Sequence, residues 1–309
     1  MQPLVFSGSS SPELAARFAG LNNFAIGSHK VVRFANSEVK VTVEQNVHDV
    51  DCFIVLSTSN PTDMHVMELA FTVDALKREG AGEITCVIPY FGYARQNIQH
   101  LPGECVSAHV VIRLLESLKV NKVIVVDLHD EGTAGVFSIP FRSISVLPYL
   151  ASRIYENLGI TAYTESSVVI ASPDQGGIER ARKFAEAFYK NLKGYDLVTV
   201  EKKRNLANIH DSKAMELYGD VQGKTVIFVD DIATSGGTII HASELALSKG
   251  AKEVYAAVVH PDFGPGIPEK IQVSTLTRFF TTNTIEKTVE DLKPYSKIEV
   301  IDISEVLKV

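Results

Sequence analysis

Short runs of Val and Ile, apolar at nearly every position, alternate along the chain with longer stretches whose apolar residues recur at helical spacing. Runs of the first kind lie at 53–56, 84–88, 123–126, 168–171, 197–200, 225–229 and 254–259. A strand that reads apolar throughout is buried on both faces, as in a parallel sheet covered by helices. Helical stretches are predicted at 12–19, 67–78, 106–118, 149–158 and 178–191, with Pro12 suited to a first turn and Gly20 to an exit. The predicted fold class is α/β, with mainly parallel sheets flanked by helices and built from successive β-α-β units.

The pattern repeats itself. FIVL at 53–56, then ALKREGAGEITCVIPYFG ending at Gly92, has a counterpart in VIFV at 226–229, then ALSKGAKEVYAAVVHPDFG ending at Gly264. Self-similarity of this kind predicts two related domains, as does a length of 309 residues at about 150 per domain. The division is placed at Leu147 and Pro148, giving 1–147 and 148–309, with the last residues placed to pack back on the first domain. No linker is long enough to suggest freely moving halves.

Composition narrows the partners. The net charge is −7 and the one dense basic run is Lys202, Lys203, Arg204, so no basic stripe exists to follow a nucleic-acid backbone. No segment approaches the ~18 to 20 apolar residues of a membrane span. The opening MQPLVFSGSSSPELAARF lacks the basic and apolar regions of a secretion signal, and a cytoplasmic location is expected. Cys52, Cys86 and Cys105 are odd in number and have no CxxC spacing, which suggests neither a disulfide framework nor a zinc site.

In open parallel sheets, ligands bind beyond the carboxyl ends of the strands, and the segments there are polar or Gly-rich. In VIFVDDIATSGGTII, a strand runs into Asp230 and Asp231, then a small-residue loop through Thr234, Ser235, Gly236, Gly237 and Thr238, then a helix. Consecutive N–H groups at 235–238, backed by the positive end of the helix, would enclose a phosphate. Bare acids beside an anion repel it, so the aspartates point to a neighbouring polyol or cation, and a sugar phosphate satisfies both demands. GDVQGKT at 219–225 is not a nucleotide P-loop: it has three residues between its glycines and precedes its strand. Singly, the other polar strand ends have plain structural readings. Lys202-Lys203-Arg204 suits a solvated turn, Asp174 in SPDQGG a helix cap, and Arg95 a surface ion pair.

Together these segments resemble a known family. SGSSSPELA, RFANSEVKV, NPTDMHVMEL, IPYFGYARQ, VVDLHDEG, SPDQGG, EKKR and the VDDIATSGGT loop are similar, nearly end to end, to the ribose-phosphate diphosphokinase (phosphoribosyl pyrophosphate synthetase) family of the phosphoribosyltransferase superfamily. PYFGYARQ with DLH is specific to that family; the loop alone marks the superfamily. The resemblance implies two phosphoribosyltransferase-like domains and transfer of the β,γ-diphosphate of ATP to the C1 hydroxyl of ribose 5-phosphate, with Mg²⁺ as cofactor. By position it implies Mg²⁺-associated roles for His129 and Asp174, and catalysis by Lys202 and Arg204. It places ATP contacts at Arg95 and Gln96, and an adenine-side segment at Phe34, Asn36 and Glu38, supplied by a neighbouring subunit. Thr234, Ser235, Gly236, Gly237 and Thr238 would hold the 5-phosphate, with Asp230 and Asp231 at the ribose. A homo-oligomer built on dimers, up to a hexamer, is implied, with ATP and ribose 5-phosphate as ligands.

The chain also departs from the family pattern. Asn36-Ser37 stands where an acid-glycine pair is usual, Asn97-Ile98-Gln99-His100 where an Asp with basic residues follows ARQ, and Thr234 where many members carry Asp. Altered affinity or base selectivity is expected rather than loss, since an Asn carbonyl still accepts from an amine. The competing readings are a phosphoribosyltransferase that consumes phosphoribosyl diphosphate, and a non-catalytic regulatory paralogue.

Overall fold

The Val and Ile runs become interior strands because both their faces can be covered. The computed structural model describes residues 2–161, 164–190, 194–203 and 214–309. These divide into two units. The first holds residues up to Ser145 together with Asn283–Lys287 and Asp302–Val309; the second holds Val146–Thr282 and Thr288–Ile301.

In the first unit, β1 (Leu4–Ser7), α1 (Pro12–Asn22), β2 (Ala25–Ile26), a hairpin of β3 (His29–Arg33) and β4 (Val39–Val43), β5 (Cys52–Val55), α2 (Thr62–Arg78), β6 (Ile84–Ile88), α3 (Ser107–Ser117), β7 (Lys122–Val126) and β8 (Phe141–Ile144) follow in order. Among the described residues the sheet order is β2-β1-β5-β6-β7-β8, all parallel, and the hairpin forms its own two-stranded sheet. Its core gathers Phe6, Ile54, Leu69, Val73, Cys86, Ile112 and Val125. Cys52 and Cys86 are buried there as free thiols, each pushed up to about 12 chiefly by burial, while Cys105 is exposed.

The second unit runs α4 (Leu147–Asn157), β9 (Val168–Ser172), α5 (Ile178–Phe188), β10 (Leu197–Lys203), β11 (Ala214–Tyr218), β12 (Thr225–Ile232), α6 (Gly237–Ser248), β13 (Glu253–His260), α7 (Ile267–Val273), β14 (Arg278–Thr282), α8 (Glu286–Leu292) and β15 (Ile298–Ile301), with the start of α8 belonging to the first unit. Its sheet order is β11-β10-β9-β12-β13-β14-β15, and only β11 is antiparallel to its neighbour among the described strands. Setting β11 aside, this is the strand order of the first unit. The internal similarity of the sequence maps β5 and β6 onto β12 and β13, which hold equivalent places in the two sheets. Phe228, Val258, Phe279 and Ile239 lie in its separate core.

Several boundaries differ from the sequence pattern for local reasons. Gly20 does not end α1; the helix continues to Asn22 and stops at Asn23, which takes the left-handed conformation (φ 55) and donates its N–H to the carbonyls of Ala19 and Gly20. α2 starts at Thr62, where Thr62, Asp63, Met64 and His65 form a first turn after Pro61, rather than at 67. α5 stops at Phe188 so that Tyr189 can turn inward, its hydroxyl donating to the Val168 carbonyl and accepting from the Ile170 N–H; the predicted end at Asn191 lies outside the described residues. Gly223 (φ 69) and Lys224 form the turn into β12, as expected once the P-loop reading is rejected.

α1 is capped from far along the chain. Ser11 makes no side-chain cap. Instead the buried Glu286 carboxylate accepts from the N–H groups of Glu13 (2.6 Å) and Leu14 (3.4 Å), satisfying donors at the positive end of the helix. Arg17 pairs with Asp302, which also accepts from Asn283 Nδ2 (2.8 Å) and the Ser304 N–H (3.0 Å). Burial raises the Asp302 carboxyl, but the bonds from Ser304 and Asn283 outweigh it and hold the group below its ordinary range. Replacing Glu286 with Ala should cost the α1 terminus about 1 to 2 kcal/mol, the range for loss of a helix cap. Hydrogen exchange at the amides of Glu13 and Leu14 should accelerate correspondingly while β6 stays protected.

Candidate active site

In the second unit the chain runs outward from β9 to β10 on one side and resumes with β12 on the other, so the strand order reverses between β9 and β12. Loops at such a switch point diverge and leave a crevice beyond the strand ends. The segments that leave β9 and β12 there are those carrying Asp174 and the Asp230-to-Thr238 motif.

Asp230 and Asp231 are the closing residues of β12, not the opening residues of a loop, because pairing with β13 persists to Ile232 opposite His260. The loop that follows is tied to the segment after β13: the Ala233 N–H donates to the His260 carbonyl (3.1 Å) and the Gly264 N–H to the Thr234 carbonyl (2.9 Å). Gly236 then adopts φ 65 immediately before α6, and a Cβ there would lie 3.2 Å from Ile267 Cγ2, so both conformation and space call for glycine. The leading N–H groups of a helix have no intrahelical acceptor. The N-cap of α6 is Gly236, which has no side chain to accept from them. The segment 235–238 therefore has a geometry suited to an anion, and the chain leading into it is held at the Thr234 carbonyl.

The acid pair is neutralised from within by a residue the sequence reading missed. Arg180, in the first turn of α5, places Nη2 3.1 Å from Asp231 Oδ1 and Nη1 3.7 Å from Asp230 Oδ1, with the three side chains only 17%, 4% and 16% exposed for Arg180, Asp231 and Asp230. Its Nη1 also donates to the Gly176 carbonyl (3.4 Å), and Asp230 Oδ1 accepts from the Asp231 N–H (2.9 Å). Burial, and next the charge of Asp231, push the Asp230 carboxyl well above the usual range, with Asp174 adding to the rise and Arg180 opposing it. The sequence showed the need for a cation but not which residue would meet it. Two adjacent acids in a buried strand need a cation, and IERAR begins the helix that follows the adjacent strand.

Asp174 Oδ1 accepts from the Gly177 N–H (3.0 Å), so the cap reading of this residue holds for one oxygen. Its other oxygen makes no hydrogen bond among the described residues. Mg²⁺ takes one or two carboxylate oxygens and fills the rest of its shell with water and substrate phosphates, and Asp174 beside the Asp230-Asp231 pair fits that mode. Among the described residues no group of three or more His, Cys, Asp or Glu gathers as an all-protein cage. Lys202 falls inside β10 rather than after it. The antiparallel β11, which the sequence pattern did not reveal, pairs Lys202 with Met215 and prolongs the strand to Lys203. Arg204 lies outside the described residues.

In the first unit, Arg95 and Gln96 follow β6 and His129 follows β7, both at carboxyl ends of the sheet. Backbone strain collects at these ends: Tyr93 (φ 66) and Asp127 (φ 35) are non-glycine residues in the left-handed region. Gln96 Oε1 accepts from Ser107 Oγ (2.7 Å) at the start of α3. Asn97, next to Gln96, donates to Asp130, next to His129, so the two segments are joined. Phe34, Asn36 and Glu38 occupy the turn of the separate β3-β4 hairpin, where Phe34 is 48% exposed. There the Asn36 side-chain oxygen already accepts from the Glu38 N–H (3.2 Å), which leaves it one further lone pair.

The chain matches known proteins along almost all of its length. Residues 3–118 match the profile described as the N-terminal domain of ribose phosphate pyrophosphokinase, and residues 189–308 match the phosphoribosyl synthetase-associated domain. It is 36% identical to a ribose-phosphate pyrophosphokinase of Fusobacterium nucleatum, covering 98% of this chain and 92% of the relative. It is 38% identical to that of Bacillus subtilis, covering 94% and 89%. The crystal structure of phosphoribosylpyrophosphate synthetase from Mycobacterium smegmatis superposes with a TM-score of 0.88 at 30% identity, covering 99% of this chain and 96% of that one.

Removing Arg180 should strand two buried carboxylates. Arg180→Gln is expected to destabilise the second unit by about 3 kcal/mol at pH 8, the scale for breaking a buried ion pair. The native state of the variant binds protons that the unfolded chain has released, so its stability falls as pH rises from the ordinary carboxylate range through the raised native value. The deficit against wild type, followed by urea denaturation, should therefore be smaller at pH 5 than at pH 8.

Proposed function

The chain belongs to the ribose-phosphate pyrophosphokinase family, and on that premise we propose that it transfers the β,γ-diphosphate of ATP to the C1 hydroxyl of ribose 5-phosphate, giving 5-phosphoribosyl 1-diphosphate and AMP. The observation that carries this reading is the end of β12, where a buried acid pair closes the strand and a loop with Gly236 as N-cap leads into α6. A sugar phosphate needs both, one for its phosphate and one for its ring hydroxyls.

In this reading Ser235, Gly236, Gly237 and Thr238 hold the 5-phosphate through N–H and hydroxyl groups, with Thr234 supplying a further hydroxyl. Asp230 and Asp231 accept from the ribose hydroxyls, oriented by Arg180. Asp230 is the more accessible of the two. On the ATP side, Arg95 and Gln96 contact the nucleotide, and His129 is assigned to a metal-bound water or a phosphate oxygen. Phe34, Asn36 and Glu38, on an exposed turn, are assigned to the adenine of a neighbouring copy, which makes the active form a homo-oligomer. The family is of the kinase type and needs a metal; we assign Mg²⁺, with Asp174 as its carboxylate.

When bound, Mg²⁺ would draw charge from the phosphate oxygens. Phosphoryl transfer otherwise asks the protein mainly to position groups and offset negative charge. Lys202 and Arg204 are assigned that task at the transferred diphosphate, as a point charge and a planar fork. The C1 hydroxyl oxygen attacks the β-phosphorus and releases its proton to solvent, while the bond from the β-phosphorus to the oxygen bridging it to the α-phosphate breaks and AMP leaves with that oxygen.

The deciding assay is AMP formation from ATP and Mg²⁺ with and without ribose 5-phosphate. AMP that appears only with the sugar, together with phosphoribosyl diphosphate, is the expected result; ADP, or no turnover, would overturn the reading. Lys202→Ala should lower kcat at least about a hundredfold. Gly236→Ala, which puts a side chain at positive φ, should raise KM for ribose 5-phosphate about tenfold and leave KM for ATP unchanged.

A further inference from the structure

Asn97 and Asp130 join two strand-end segments that the proposed function needs held together. Asn97 Nδ2 donates to Asp130 Oδ2, with Thr133 Oγ1 also 3.4 Å from it. The other oxygen of Asp130 accepts from the Gly132 N–H (2.9 Å), capping the short helical turn Glu131–Val136 and fixing the carboxylate's direction. On the other side, Asn97 follows a segment pinned at several points. The Gln96 N–H donates to the Tyr93 carbonyl (2.8 Å), the Ala108 N–H donates to the Gln96 carbonyl (3.2 Å), and Ser107 holds the Gln96 side chain. Beyond Asn97, the loop closes on Glu104, whose carboxylate accepts from the N–H groups of His100 (3.0 Å) and Leu101 (2.9 Å). The Asn97 amide is thus the joint between a pinned segment that carries Arg95 and Gln96, an exposed loop, and the strand end that carries His129.

We propose that Asn97 and Asp130 are a positioning pair, with Asn97 donating to a fixed carboxylate, that sets the affinity of this chain for the triphosphate by holding the segment after β6 against the end of β7. The inference rests on the ATP-side assignment above. Polarity is its essential feature. Both Asp130 oxygens are acceptors, so position 97 must supply a donor; an amide can, and a carboxylate of the same shape cannot. Two carboxylates at hydrogen-bond distance would repel and open the joint.

This yields a pattern across three variants that a merely structural contact would not produce. Asn97→Asp places acceptor against acceptor and should raise KM for ATP about tenfold, with kcat within about twofold. Asp130→Asn alone should be nearly silent, because the Asn97 amide can rotate to present its oxygen while the introduced amide's own oxygen still accepts from the Gly132 N–H. Asn97→Asp combined with Asp130→Asn restores a donor-acceptor pair with reversed polarity and should return KM for ATP to within about twofold of wild type. Hydrogen exchange over residues 97–105 should be faster in Asn97→Asp and return to the wild-type rate in the double variant. Unchanged exchange and KM in Asn97→Asp, or a double variant no better than the single one, would overturn the pair. If the wild type forms no AMP at all, the functional reading fails, and the exchange pattern still decides whether the pair holds the loop.

Discussion

Asp230 and Asp231 close a buried strand beside a loop that offers N–H groups to an anion. The surroundings that strengthen the pull of the loop on a phosphate also strengthen the repulsion between the two carboxylates, because both act through poorly screened space. Arg180 reconciles these demands. Its planar fork reaches both acids from the first turn of α5 and binds the Gly176 carbonyl. A lysine at the same place would meet one partner at a time as a point charge. The acid pair depends on this cation, since without it burial and mutual repulsion would push the carboxylates still further toward the protonated state, which turns an acceptor oxygen into a donor.

The two units reach different chemistry from one strand order. In each, the strands run β-α-β outward from a central reversal, so polar segments collect at the carboxyl ends whatever their sequence. The second unit places two glycines at the start of a helix after β12. The first unit has, in the corresponding place after β5, Ser57, Thr58 and Ser59, all buried and hydrogen-bonded within the fold. In the proposed function the chemistry of this unit lies instead at the ends of β6 and β7, where Tyr93 and Asp127 sit at positive φ. A shared framework thus fixes where a site can lie and leaves its loops to decide what the site does.

Much of the site was legible because its determinants are local. VDDIATSGGT carries its own strand, its own turn residues and its own helix start, and each acts on neighbours in the chain. The cap role of Asp174 was legible for the same reason. The pairing of Arg180 with Asp230 and Asp231 was not, since nothing along the chain says which helix comes to rest over which strand end. β11 escaped notice because Ala214–Tyr218 is short, contains Glu216 among apolar residues and lacks a clear period, and only its partner in the sheet makes it a strand. The extension of β10 through Lys202, with the resulting direction of its backbone, follows from that pairing. The Glu286 cap on α1 is likewise a contact between distant parts of the sequence.

By itself the sequence determined the α/β class, the repeat, the glycine turn before α6 and the family resemblance, because burial periodicity and glycine conformation are properties of short segments. Tertiary structure alone decided how the charges are balanced: which cation meets the acid pair, which carboxylate caps α1, and that Asn97 faces Asp130. Those contacts depend on the packing of separate elements, and Coulomb and hydrogen-bond energies are settled by distances through space that chain separation does not encode.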